Sequence, residues 1–192
     1  MGNKIDWNLV IVIVLLALFI LAMIVIIQYQ EAKAHEVVAM SIRDRLEVAL
    51  IKWETGNTPL ERLLTVARDG KENLVVGVGH DVMPRDNLEF GDRITINEMN
   101  IFLQQDLDKA LESAYSLLDN ARNYPQDVKM VLAAMCYQLG KKGTSKFKKM
   151  LAAIKVRDYA TAADEMLKSE WANQTTRRAQ AMASIMRGVA DE

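Results

Sequence analysis

ITINEMNIFLQQDLDKALESAYSLL, residues 94–118, decides how the chain is organised. Thr95 with Glu98 three positions on forms a capping box, a helix start. Ile101, Leu107, Leu111 and Ala114 then carry an apolar stripe at helical spacing. The stretch predicts one long helix, and what lies on its two sides differs in kind. Upstream, VVAMSIRDRLEVALIKW (37–53) reads as a helix ending near Glu54, with Gly56 placed to cap it. GNTP (56–59) breaks the chain, and two extended runs follow, Leu63 to Arg68 and Leu74 to Val78. Joined by residues 69–73 (DGKEN), they read as a β-hairpin, which the polar loop DVMPRDNLEFGDR (81–93) closes into a small lobe. Downstream, Asn123-Tyr124-Pro125 starts a helix from Gln126 to Leu139, and Gly140 and Gly143 end it. Shorter helices are expected near Ser145 to Ile154, Tyr159 to Lys168 and Thr175 to Arg187. The expected class is α+β, mainly α: a small hairpin lobe, a long connecting helix and a helical lobe.

The N-terminus has a different character. Leu9 to Ile27 holds 19 consecutive residues without a polar side chain, roughly 28 Å as a helix at about 1.5 Å per residue. Trp7 and Tyr29 bracket it as interfacial aromatics do. The stretch is too long for a removable signal peptide and no small-residue cleavage site follows it, so it reads as a transmembrane helix. The expected division is 1–30 tail and membrane helix, 31–44 a helical linker, and 45–192 the folded domain. Lys33, Arg43 and Arg45 after the span lean towards a cytoplasmic C-terminal side on charge alone.

Composition excludes several classes. Only Lys4 and Asp6 of the charged residues precede Gln28, which leaves 23 Lys+Arg against 24 Asp+Glu beyond it. Such a balance gives no electrostatic footprint for nucleic acid. The single Cys136 forbids an internal disulfide, and its apolar helical setting reads as a buried, inert thiol. No Cys/His cluster offers a metal site, and no cofactor is expected.

VVGVGHDV (75–82) poses a separate question, since Gly inside a strand marks a close approach by something else. Together with the helix-to-hairpin order, YQLGKKGTSKF (137–147), QQDLDKA (104–110) and above all SEWANQTTRRA (169–179), this stretch resembles the T4-type phage lysozymes of glycoside hydrolase family 24. The resemblance runs from about Arg45 to Gly188.

That resemblance implies a two-lobe muramidase cutting the β-1,4 bond between N-acetylmuramic acid and N-acetylglucosamine of peptidoglycan. The chemistry needs one protonated carboxylic acid for the leaving oxygen and one ionised carboxylate across the ring. Asp69 falls at the family's carboxylate position; as a bare residue it is equally an Asp-Gly turn. For the acid, KWETG (52–56) offers Glu54, with Thr55 intervening before the Gly and a longer spacing to Asp69 than the family's. Glu61 is the alternative, one residue too close and with no Gly after it. A helix C-terminus and the apolar Trp53 both disfavour a negative charge at Glu54, as a general acid requires. Arg178 matches the family Arg that contacts the acid. His80 and Asp106 match a structural ion pair, and Gln138 and Phe147 match cleft and packing positions. Trp171 is expected in the helical core. Val75 stands where the family has a Thr that helps hold the attacking water, and Ala67 and Ala134 replace larger or polar residues of the cleft.

The partners implied are peptidoglycan and a lipid bilayer. Two settings fit: a tethered endolysin in a host inner membrane with its domain in the periplasm, or a component of a phage's internal virion membrane beside other membrane or capsid proteins. The other class of reading is an inactive lysozyme fold kept for glycan binding or architecture, for which Val75 is the reason.

Overall fold

A computed structural model describes residues 15, 16, 18–30 and 41–189. The chain divides into two compact units, Met1–Met40 and Ser41–Glu192. In the first, residues 18–30 are helical and every side chain is exposed, the apolar Phe19 and Leu21 included. No helix among the described residues is long and apolar enough to cross a membrane. Residues 9–14 and 17 of the apolar stretch lie outside the described residues, as do 31–40 of the expected linker.

The second unit opens with α1, Ile42–Thr55, which buries Leu46 and Leu50. Ser41 caps it, its hydroxyl accepting from Asp44 N while the Asp44 carboxylate accepts back from Ser41 N. Gly56 ends it at φ 50°, a value few other residues tolerate. The segment after Pro59 departs from expectation. Leu60–Leu63 forms a single helical turn, α2, so Leu63 closes a helix rather than opening a strand. Pro59 presets φ for a first turn, and its carbonyl accepts from Arg62 N and Leu63 N.

Two short strands follow, β1 (Ala67–Arg68) and β2 (Leu74–Val76), with a third, β3 (His80–Asp81), that the sequence reading left inside a loop. They pair antiparallel in the order β1-β2-β3, with Ala67 opposite Val75 and Val76 opposite His80. Val66, Val76 and Ile94 make the core of this lobe, and Leu64, Leu74 and Phe102 pack on it.

The long helix, α3, runs Ile96–Ser116 behind the Thr95–Glu98 capping box. Its buried row is Leu103, Leu107, Ala110, Leu111 and Ala114. Ile101, expected in that row, is 46% exposed. Two residues from Leu103 it lies roughly 200° around the helix, on the opposite face. Met99 packs against both hydrophobic cores and so ties the lobes together.

The helical lobe comprises α4 (Gln126–Thr144), α5 (Lys148–Lys155), α6 (Tyr159–Leu167), α7 (Glu170–Gln174) and α8 (Thr176–Gly188). Gly140, at φ 65° and ψ 168°, breaks α4 where a helix end was expected, and one more turn follows it. The short α7 was not expected; Ser169 caps it by accepting from Ala172 N. Leu46 and Leu50 join Leu132, Met135, Met150 and Met182 in the core. Five methionines, Met135, Met150, Met166, Met182 and Met186, are fully buried there, and their unbranched side chains fill irregular gaps between short helices.

Candidate active site

The glycines of VVGVGHDV explain themselves by what they touch. Gly77 (φ 66°) presents its Cα to Met99, and a Cβ there would sit 3.0 Å from the Met99 Cγ. Gly79 (φ 78°) faces the end of α1, where a Cβ would lie 3.8 Å from Glu54 Oε2. The turn backbone thus lies alongside a carboxylate, and at position 79 it is the positive φ rather than a lack of room that favours Gly.

The same carboxylate is held from the far end of the chain. Arg178, on α8, donates from Nη1 to Glu54 Oε1 at 2.6 Å. The two side chains are only 11% and 22% exposed, so the pair is charge-assisted and partly desolvated. Arg178 also lies over the Trp53 ring, 5.8 Å from its centroid. The arrangement fixes Oε1 and leaves Oε2 facing Gly79. Glu61, the alternative acid, is exposed on α2.

Asp69 sits at the end of the hairpin, tied only to neighbours. Its Oδ1 accepts from Lys71 N at 2.7 Å and Asn73 N at 2.9 Å, and its Oδ2 accepts from Asn73 Nδ2 at 3.1 Å. The Asn73 side chain, then the two backbone N–H groups, hold its carboxyl below the usual Asp range. It is a carboxylate that stays charged. Val75, half-buried opposite Ala67, adds no polar side-chain atom to that face.

His80 is 3% exposed and stacks on Phe102, with ring centroids 4.2 Å apart. Its Nδ1 lies 2.6 Å from Asp106 Oδ2 and its Nε2 lies 3.2 Å from Asp86 Oδ2. Asp106 also accepts from Lys109 Nζ at 2.8 Å. Burial pulls the imidazole down, but the hydrogen bonds and charges of Asp106 and Asp86 outweigh it and leave it above its ordinary value. Both ring nitrogens are engaged in ion pairs, which leaves no free nitrogen for proton transfer.

Gln138 and Phe147 meet at Trp171. The indole Nε1 donates to Gln138 Oε1 at 2.9 Å, and Phe147 packs edge-on against the Trp171 ring at 6.0 Å. Trp171 itself is buried, as expected. Ala134 is not: it was read as a cleft position, yet it is fully buried and lines no surface. Cys136 is buried, and that burial pushes its thiol up.

Three depressions surround these groups. One of about 210 Å³ runs over α3 between Gly79, Asp81 and Met83 on one side and Tyr137 and Gly140 on the other. A second, about 720 Å³, is lined by Trp53, Gly56, Gln174 and Arg178 among others. Gly79 borders the first and Arg178 the second, and both lie beside Glu54. The third, about 540 Å³, lies beside Phe147 and the lysines of α5.

Three residues at the site escaped the sequence reading. Tyr137, on α4, donates its hydroxyl to the Val78 carbonyl at 2.5 Å. Burial pushes its phenol up, so it remains a donor at any working pH. Asp86 supplies the second carboxylate of His80, and its only local signal is the Pro84 that starts its 3₁₀ turn. Asn73 was read as a turn residue.

The Phage lysozyme family model matches residues 62–187. The match includes Asp69, Val75, His80, Asp106 and Arg178 and begins after both Glu54 and Glu61. Two proteins of Dictyostelium discoideum are similar. "Probable T4-type lysozyme 2" is 26% identical over 158 residues, covering 71% of this chain and 90% of its own length. "Probable T4-type lysozyme 1" is 31% identical over 96 residues, covering 48% of this chain and 56% of its own length.

Proposed function

The chain belongs to the phage lysozyme family of glycoside hydrolases, and on that premise we propose a membrane-anchored muramidase with Glu54 as general acid and Asp69 as the ionised carboxylate. The observation that carries this reading is the Arg178 to Glu54 hydrogen bond, 2.6 Å between residues 124 apart in sequence. It orients one oxygen of the carboxyl and leaves the other facing the Gly79 turn, where a leaving sugar oxygen can take its proton. Glu54 lies beside Gly79 and Arg178, which border two separate depressions, and that suits a polysaccharide lying across the site. Asp69, kept charged by its own turn, suits the opposite role. The fold on this reading is the two-lobe lysozyme arrangement, with the substrate over α3.

The anchor is Leu9 to Ile27, with residues 45–192 on the side of the bilayer that holds the wall. A host inner membrane with a periplasmic domain and an internal virion membrane both meet that condition. Protease protection of the full chain in oriented vesicles tests the anchor: digestion that strips the protein from the membrane without leaving a protected fragment near residues 9–27 overturns it.

One observation favours a second reading. Val75 offers no hydroxyl on the Asp69 face, which suits an inactive fold kept for glycan binding. Reducing ends released from purified peptidoglycan by the full-length chain in detergent separate the two. A folded protein that releases none at any pH supports the second.

A further inference from the structure

The three hydrogen bonds on Asp69 are not equivalent. The two on Oδ1 come from backbone N–H groups and persist with any residue but Pro at 71 and 73. The one on Oδ2 comes from the Asn73 side chain and is lost with any side chain that has no donor there. Asn73 therefore sets the rotation of the carboxylate and leaves Oδ2 one site for another donor. The register extends the point. Ala67 pairs with Val75 and Arg68 with Leu74, which puts Asp69 opposite Asn73 with all four odd-numbered side chains on one face. Ala67 and Val75 have no polar side-chain atom. The Asn73 amide oxygen, for which no hydrogen bond is formed among the described residues, is then the polar group next to Asp69 Oδ2.

We propose that Asn73 is the positioning residue for the attacking water, holding Asp69 Oδ2 with its NH2 group and taking the water's second hydrogen with its amide oxygen. The inference rests on the muramidase reading above. In the step it serves, the water oxygen bonds to the anomeric carbon as that carbon's bond to the leaving oxygen breaks. One water proton passes to Asp69 Oδ2, and the leaving oxygen takes the proton of Glu54. The amide is unchanged, and solvent restores both carboxyl groups to their starting states. The charged state of Asp69 agrees with this role, since the Asn73 side chain is the foremost cause of its lowered pKa.

The experiment uses the full-length chain in detergent on solubilised peptidoglycan fragments, with Asn73→Ala and the double variant Asn73→Ala/Val75→Thr beside the parent. Asn73→Ala is expected to lower kcat by about 10- to 100-fold and leave KM within about twofold. It also moves the acid limb of the pH profile upward, because Asp69 loses a group that favours its charged form. The Thr hydroxyl, on the same face, is expected to restore most of the lost kcat. An active parent whose Asn73→Ala variant keeps its kcat and its acid limb overturns the inference and leaves the muramidase reading standing. So does a variant that loses kcat with a lower melting temperature, an unmoved acid limb and no recovery by Thr. A folded parent without activity overturns the muramidase reading and this inference with it.

Discussion

The two carboxylates of the site are held in opposite ways. Glu54 is fixed by a partner 124 residues away, reached only when α1 and α8 both pack against α4. Asp69 is fixed by groups no more than four residues away, within its own turn. One half of the site is made by the completed fold and the other by local sequence. On the proposed reading, the acid's geometry is therefore hostage to the packing of the helical lobe, and the base's is not.

The widest test of this contrast is removal of the chemistry itself. Glu54→Gln and Asp69→Asn are each expected to cut the release of reducing ends by about 10²- to 10⁴-fold, whereas Glu61→Gln stays within about twofold of the parent. A loss at Glu61 in place of Glu54 would move the acid to α2 and dissolve the comparison. Next, Arg178→Ala leaves a partly buried carboxylate without its donor. It should lower stability by about 1–3 kcal/mol in a denaturant titration and slow the reaction about tenfold, while the Lys71 and Asn73 amides keep their hydrogen-exchange protection.

The effect of pH sharpens the picture at His80. Its folded pKa is raised, so its contribution to stability is fully present below the ordinary imidazole value of 6.5 and lost as pH rises through the raised value. Asp106 and Asp86 are held below their ordinary 3.8, so theirs is present above that value and lost as pH falls through the lowered ones. Melting temperature against pH should therefore peak between those limits, and Asp106→Asn should flatten the alkaline side. The smallest expected effect is at a helix cap. Ser41→Ala removes the acceptor for Asp44 N and should cost about 0.5–2 kcal/mol in a thermal melt with kcat unchanged.

Local chemistry was the legible part of this molecule. Thr95 and Glu98 announce α3 because a capping box is complete within four residues. Gly140 marks a break because only its backbone reaches φ 65° comfortably. Leu60–Leu63 was misread since LERL is short and apolar at both ends, and length is what separates a turn of helix from a strand. β3 was missed for the same reason, as two residues carry no alternation to read. At the site, Asp69 was legible locally only as an Asp-Gly turn, and its role, like the reach of Arg178 to Glu54, came through resemblance. No local pattern encodes a contact across 124 residues. Asn73 passed as a turn residue because its role depends on a strand register fixed only by pairing.

The bond from the Tyr137 hydroxyl to the Val78 carbonyl has a mechanical consequence. Val78 is plugged into the helical core, and His80, two residues on, is held by Asp106. The GVGH turn is thus clamped to the helical lobe, while the Asp69 carboxylate is tied only within its own turn. On the proposed reading, one wall of the cleft is riveted to the helical lobe and the other, on the hairpin, bears the base. A sugar ring entering the site is then expected to displace the hairpin side first, and with it the carboxylate that is to take a proton from the attacking water.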